Sequence, residues 1–213
     1  MTEIKNIFGT FLICLGVLAL GLCAMLIWFN SMEDSDAERF ASQKLADIQN
    51  AIEQRRENGS EEGDGNYSSP VFTSEEDLND YKMEAVFIDG YSYIGYLAVP
   101  SVELELPVME GWTEELIKLA PCRYYGALET HDLVIAGHNY KNGFRKLHSI
   151  SKDDIVYFMD MNGNMHTYVV EEIEILEAED VEPMVSNGWD LSLYTCTFNG
   201  KQRLTVRCRL SQS

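Results

Sequence analysis

The hydrophobic pattern changes period twice along the chain. Ile7 to Phe29 runs for 23 residues without a charge, long enough for a helix to cross a bilayer. From Ala37 the apolar positions thin to every third or fourth residue, at Ala37, Phe40, Ala41, Leu45, Ile48 and Ile52. That spacing predicts a helix from Asp36 to about Asn58 with one apolar stripe, which Ser35 or Asp36 is placed to cap. Asn58 to Pro70 (Asn-Gly-Ser-Glu-Glu-Gly-Asp-Gly-Asn-Tyr-Ser-Ser-Pro) has no apolar period and reads as an acidic linker.

From a domain start between Tyr81 and Tyr93 the period becomes two. Ile94–Val99 and Val102–Val108 are short strand runs split by Pro100-Ser101. Trp112–Ala120 reads as a short helical stretch, capped by Thr113 and stopped by Pro121. Asp132 to His138 is an apolar run that ends on a histidine, and Asp154–Met159 with Met165–Leu176 flank an Asn-Gly turn. Asp190–Phe198 and Arg203–Leu210 form a last hairpin around Asn199-Gly200. Its first strand places Leu191, Leu193, Thr195 and Thr197 on one face and Ser192, Tyr194, Cys196 and Phe198 on the other. In the second, Leu204, Val206, Cys208 and Leu210 oppose a polar face of Arg203, Thr205, Arg207 and Arg209. Many short strands and little helix predict an antiparallel or mixed β-barrel. The organisation is thus residues 1–30 as membrane anchor and its cytoplasmic tip, 31–80 as helical stalk and linker, and 81–213 as the folded domain.

Charge sharpens this picture. A formal net charge of -19 speaks against nucleic acid as a partner, since phosphate binding needs a basic patch. The apolar run is longer than a signal-peptide core and ends in Leu-Ile-Trp-Phe, so it reads as an uncleaved anchor. Lys5 precedes it, and Glu33, Asp34 and Asp36 follow; the positive-inside rule puts the N-terminus in the cytoplasm and the rest outside. The acidic run Glu171, Glu172, Glu174, Glu177, Glu179, Asp180 and Glu182 has carboxylates that suit Ca2+, but no EF-hand spacing; a solvated strand face is the plainer reading. No other cofactor is indicated.

Five cysteines, with no CxxC pair, suit neither zinc nor a disulfide framework; a Cys122–Cys208 bridge is one alternative. The last hairpin brings Arg203 close to Cys196, where a guanidinium favours the nucleophilic thiolate. His138, beside Gly137 at the end of a buried strand, is placed where a side chain enters a cleft. Each residue alone has a plainer reading: a packed thiol, a strand-edge cation, a solvated histidine.

Together these residues resemble the sortases, membrane-anchored cysteine transpeptidases of Gram-positive bacteria. The resemblance rests on Ile94-Gly-Tyr-Leu-Ala-Val-Pro100, Val134-Ile-Ala-Gly-His138-Asn, the Phe158–Tyr168 hairpin and Leu193-Tyr-Thr-Cys196-Thr-Phe-Asn-Gly-Lys-Gln-Arg203, and spans about residues 83–210. The run Ile88–Leu97 looks closer to class B-like or other clostridial sortases than to class A. The resemblance implies an eight-stranded β-barrel with short helices, Cys196 as nucleophile, His138 as acid and base, and Arg203 as oxyanion and substrate contact. It assigns Thr195 a contact with substrate or Arg203. It also implies cleavage of a Leu-Pro-x-Thr-Gly-like sorting signal on surface proteins and transfer to an amine, either a peptidoglycan cross-bridge precursor or a pilin lysine. The reading of another class is a membrane-anchored barrel that binds or scaffolds without catalysis, in which Cys196 is buried and inert.

Overall fold

A computed structural model describes residues 2–58, 83–185 and 188–211. Helix α1 spans Thr2–Asn58, and the chain divides between Asp36 and Ala37 into two units. The first is helical, with Leu15, Leu20 and Trp28 exposed, and by length and composition it could cross a membrane. No helix break occurs at Ser35 or Asp36. Instead of capping, Ser35 Oγ donates to the Ser31 carbonyl at 2.9 Å, the back-bond that lets a serine sit inside a helix. The 59–82 linker lies outside the described residues.

The second unit is mostly β. Its strands are β1 Val86–Ile88, β2 Tyr91–Val99, β3 Leu104–Met109, β4 Cys122–Tyr125, β5 Leu133–Ala136, β6 Ile155–Asp160, β7 Met165–Glu177, β8 Leu191–Cys196 and β9 Gln202–Leu210. They are ordered β1-β2-β3-β4-β5-β8-β9-β7-β6, and β6 pairs back onto β2. Strands β2 to β9 thus close an eight-stranded barrel, with β1 beside the start of β2. The pairs β3–β4 and β5–β8 are parallel, so of the two forms the strand pattern allows, antiparallel or mixed, the barrel is the mixed one. Closure depends on Gly95, which has φ +146°; a Cβ there would lie 2.0 Å from the Met159 carbonyl oxygen on β6.

Inward residues of alternate positions, among them Ile94, Leu97, Ile135, Phe158, Leu193 and Val206, are at 0 % exposure and fill the barrel. The predicted stripe on α1 finds a partner here. Ile48 and Ile52 pack with Tyr93, Met109, Ala120, Cys122 and Met161 in a second apolar cluster on the barrel's flank. Buried Lys44 adds ion pairs to Asp89 in the β1–β2 turn at 2.6 Å and to Asp47 at 2.9 Å. The Asp89 hydrogen bond, then that of Asp47, holds its ammonium well above the usual lysine value against the cost of burial.

Two local expectations differ. Trp112–Ala120 makes only a three-residue 3-10 turn, Leu116–Lys118. Thr113 Oγ1 accepts from Leu116 N at 3.1 Å as the expected cap. However, the Pro121 carbonyl accepts from Met109 N at 2.9 Å, drawing the chain into the sheet before a second turn forms. Arg207, which the alternation puts on a polar face with Arg203 and Arg209, is not solvated there but 1 % exposed. The reason is helix α2, Val181–Val185, whose backbone carbonyls receive its guanidinium.

Candidate active site

Strand register brings the three predicted residues to one end of three adjacent strands. Cys196 is the last residue of β8 and pairs directly with Arg203 on β9. On the other side, β8 runs parallel to β5 with Ala136 opposite Tyr194, and Gly137 N donates to the Tyr194 carbonyl at 3.0 Å. His138 and Cys196 each stand two residues beyond that pair. They are therefore level on neighbouring strands, whose usual spacing is about 4.8 Å. Leu191, Leu193 and Thr195 point into the core; Cys196 and Tyr194 alternate to the outer face, both half-buried.

The chain after β5 is shaped around His138. A Cβ on Gly137 would lie 2.3 Å from the Phe144 ring, so only glycine lets that ring pack beneath the histidine's turn. Tyr140 N donates to the His138 carbonyl at 2.7 Å, closing a γ-type turn around Asn139. The Tyr140 ring lies parallel to the His138 imidazole, with centroids 4.2 Å apart and planes 5° apart. Arg145 Nε and Nη2 donate to the Asn139 carbonyl at 3.1 and 2.8 Å, and Asn142 Nδ2 donates to Glu38 of α1 at 2.6 Å. His138 itself is exposed.

Arg203 is half-buried, and its Nη1 donates to the Gly200 and Gln202 carbonyls, both at 3.3 Å. Those contacts tie it to the β8–β9 loop, where Phe198 stacks on His148 at 4.1 Å. Thr195 is 1 % exposed and its buried hydroxyl has no hydrogen-bond partner among the described residues. A contact from Thr195 to substrate or to Arg203 would therefore run through its backbone.

Sequence reasoning passed over several neighbours. Tyr194, Tyr124 and Trp112 form an edge-to-face ladder, with centroids 5.4 and 6.0 Å apart, beside Cys196 on the outer face. Burial holds the Tyr194 phenol above its usual value. Arg207 lies four residues from Arg203 on the same face, about 13 Å along the strand. It donates to Glu174 Oε1 (2.7 Å), Ser192 Oγ (2.8 Å) and the Pro183 (2.7 Å) and Met184 (3.3 Å) carbonyls. The arginine alternation on β9 marks its face but not its cover. The aromatic ladder joins residues from three separate segments, and only the Gly-His-Asn-Tyr run offers a local signal, for Tyr140.

The other thiols differ from Cys196. Cys122 and Cys208 are free and buried, so the disulfide alternative is not realised. Burial pushes the Cys122 thiol up to about 12 and raises Cys208 as well. His166 is taken up by Asp160 at 3.1 Å. Among the described residues, no three or more His, Cys, Asp or Glu side chains are grouped to hold a metal ion, the acidic run from Glu171 to Glu182 included.

Comparison with known proteins matches a sortase domain to residues 97–211, a span that contains His138, Cys196 and Arg203. Sortase A of Bacillus anthracis is 32 % identical over 115 residues, 51 % of this chain and 54 % of that protein, so the chain spans about half the length of this curated relative. Among solved structures, sortase C1 of Streptococcus suis superposes with a TM-score of 0.50 at 25 % identity, covering 57 % of this chain and 74 % of that one. A Clostridium perfringens sortase D5 transpeptidase gives a TM-score of 0.57 at 16 % identity over 82 % and 99 % of the two chains, a likeness of fold. These relatives carry the labels A, C1 and D5, and the subclass suggested by Ile88–Leu97, class B-like or other clostridial, is not confirmed by them.

Proposed function

Because the chain belongs to the sortase family, we propose that it is a membrane-anchored cysteine transpeptidase acting on a Leu-Pro-x-Thr-Gly-like sorting signal. The observation that carries this reading is the register that sets His138, Cys196 and Arg203 side by side at the ends of β5, β8 and β9. The Cys196 thiolate attacks the Thr carbonyl, and the new C–S bond pushes electrons onto oxygen. The Arg203 guanidinium stabilises that oxyanion. The Thr–Gly C–N bond then breaks, and the leaving amine takes the proton of the His138 imidazolium. An incoming amine attacks the thioacyl-enzyme, gives its proton to His138 and releases Cys196 as thiolate. The three side chains supply nucleophile, proton and positive charge by themselves, so the reaction draws on no cofactor.

The acceptor is an amine of the kind found on a peptidoglycan cross-bridge precursor or a pilin lysine, and the donors are surface proteins carrying the signal. The N-terminal helix anchors the chain in the cell membrane. Lys5 before the apolar run and Glu33, Asp34 and Asp36 after it support a cytoplasmic N-terminus and an outer catalytic domain. Thr195 contributes through its backbone. The non-catalytic scaffold reading requires a buried, inert Cys196, and the half-exposed side chain favours the enzyme.

The test uses the full chain in detergent with a quenched Leu-Pro-x-Thr-Gly peptide library and an added amine. Expected are cleavage and an amine-ligated product, both lost in Cys196→Ala, His138→Ala and Arg203→Ala. Cleavage retained in Cys196→Ala refutes the assignment, and cleavage that never yields the ligated product makes the protein a hydrolase instead.

A further inference from the structure

We propose that Tyr140 is a positioning residue for the reaction, holding the His138 imidazole flat against its ring and favouring the protonated form that gives a proton to the leaving amine. This rests on the reading of His138 as acid and base. The face of an aromatic ring is electron-rich, so a cation lying on it is attracted while a neutral ring gains much less. The parallel stack at 4.2 Å and 5° puts the imidazole on that face.

The loop is built to hold the ring there. Tyr140 is hydrogen-bonded through its own N–H to the His138 carbonyl, and its carbonyl accepts from Gly143 N at 3.0 Å and Arg145 N at 3.3 Å. Three backbone bonds thus fix a residue only two positions from His138. Below it, Phe144 on Gly137 leaves the turn no room to settle inward.

The other charged or titratable groups on the elements at this end are the Cys196 thiol of β8, the Arg203 guanidinium of β9, Arg145 and exposed Lys141 of the loop itself, and Glu38 of α1, which reaches the loop at Asn142. A thiolate favours the imidazolium and the cations disfavour it. In a site with a fixed guanidinium close by, the tyrosine face is a source of stabilisation for imidazolium that adds no full charge and so leaves Arg203 free for the oxyanion.

The experiment titrates His138 by NMR in the full chain in detergent, with its signal assigned among four histidines by a His138→Gln sample. Tyr140→Phe keeps the ring, while Tyr140→Leu and Tyr140→Met remove it; two ring-less variants keep the measurement standing should one of them fail to fold. His138 is expected to lose its proton about half a pH unit lower in the ring-less variants and to stay within about 0.1 unit of the parent in Tyr140→Phe. The alkaline limb of peptide cleavage should move down with it. Unchanged titration in the ring-less variants, an equal shift in Tyr140→Phe, or a titration shift that the cleavage limb does not follow each overturns the proposal. Retained ligation in Cys196→Ala is a separate result: it removes the transpeptidase reading itself, while the NMR titration still reports on the stack.

Discussion

Replacing Arg207 by methionine should loosen the segment over the outer face of β9. The guanidinium is 1 % exposed and makes four hydrogen bonds: to Glu174, Ser192 and the carbonyls of Pro183 and Met184. Those two carbonyls belong to the last turn of α2, where a helix has no partners of its own. Methionine fills much of the volume but takes the guanidinium away from the Ser192 hydroxyl, 1 % exposed, and from the two carbonyls. Breaking a buried charged pair by removing one partner costs about 3–5 kcal/mol. The lower end applies, because the Glu174 side chain is 33 % exposed and can rehydrate. At about 2–4 °C per kcal/mol for a domain of this size, the melting temperature should fall by about 10 °C. Arg207→Lys keeps the charge but not the planar fork, and should fall in between. Calorimetry measures the first effect, and hydrogen exchange at 181–185 measures its location. A melting temperature lowered by less than about 2 °C, or a fall with α2 amides still protected, would show that the bonds are not what holds this segment.

Three further outcomes are expected. Asp160→Asn should cost about 2 kcal/mol near neutrality, because Asp160 accepts bonds from Asn162 N, Asn164 N, Asn164 Nδ2 and His166. Burial alone would raise the Asp160 carboxyl, but His166 and Asn164 bring it below its usual value. A depressed carboxyl stabilises the fold above its unfolded pKa of about 3.9 and loses that as pH falls through the lower folded value, so the gap between parent and variant should close in that window. A gap unchanged down to about pH 2 contradicts this. Ile48→Ala should destabilise by about 3 kcal/mol, since Ile48 is at 0 % exposure between α1 and the barrel, whereas exposed Glu53→Ala should change little; equal effects in denaturant melts would mean the helix does not dock. Alkylation at pH 8 followed by peptide mapping should find Cys196 modified and Cys122 and Cys208 spared, because burial pushes the last two thiols up and out of reach; comparable labelling of all three refutes that ordering.

The parts of the fold legible in the sequence are those whose burial is decided locally. Strands β2, β5, β8 and β9 carry alternating or continuous apolar runs, and their alternation also announces which face Cys196 and Arg203 share. The stripe from Ala37 to Ile52 announces a helix with something to cover. Strands β1 and β4, three and four residues long, have too few positions for a period to emerge, and each is held by pairing with a neighbour that the pattern does not name. The 112–120 stretch has helical spacing, but one long-range bond, from Met109 N to the Pro121 carbonyl, decides its course.

The site divides along the same line. Cys196 and Arg203 meet across a hairpin, so chain distance and register bring them together; His138 joins them through a parallel pairing of β5 with β8 that no local pattern specifies, and the order of motifs stood in for it. Arg207 shows the converse. It shares a face, a strand and a residue type with Arg203 and Arg209, yet is buried while Arg209 is 42 % exposed in its side chain and lies on the Trp189 ring at 4.3 Å. The difference is supplied by a five-residue helix from the connection between β7 and β8. Periodicity reports the face of a strand, whereas chemistry on that face depends on what the loops lay over it. In this barrel the loops leave Cys196 and Arg203 half-exposed at one end and seal Arg207 four residues along β9 from Arg203, so one arginine stays at the open end beside the thiol and the other is committed to holding the wall.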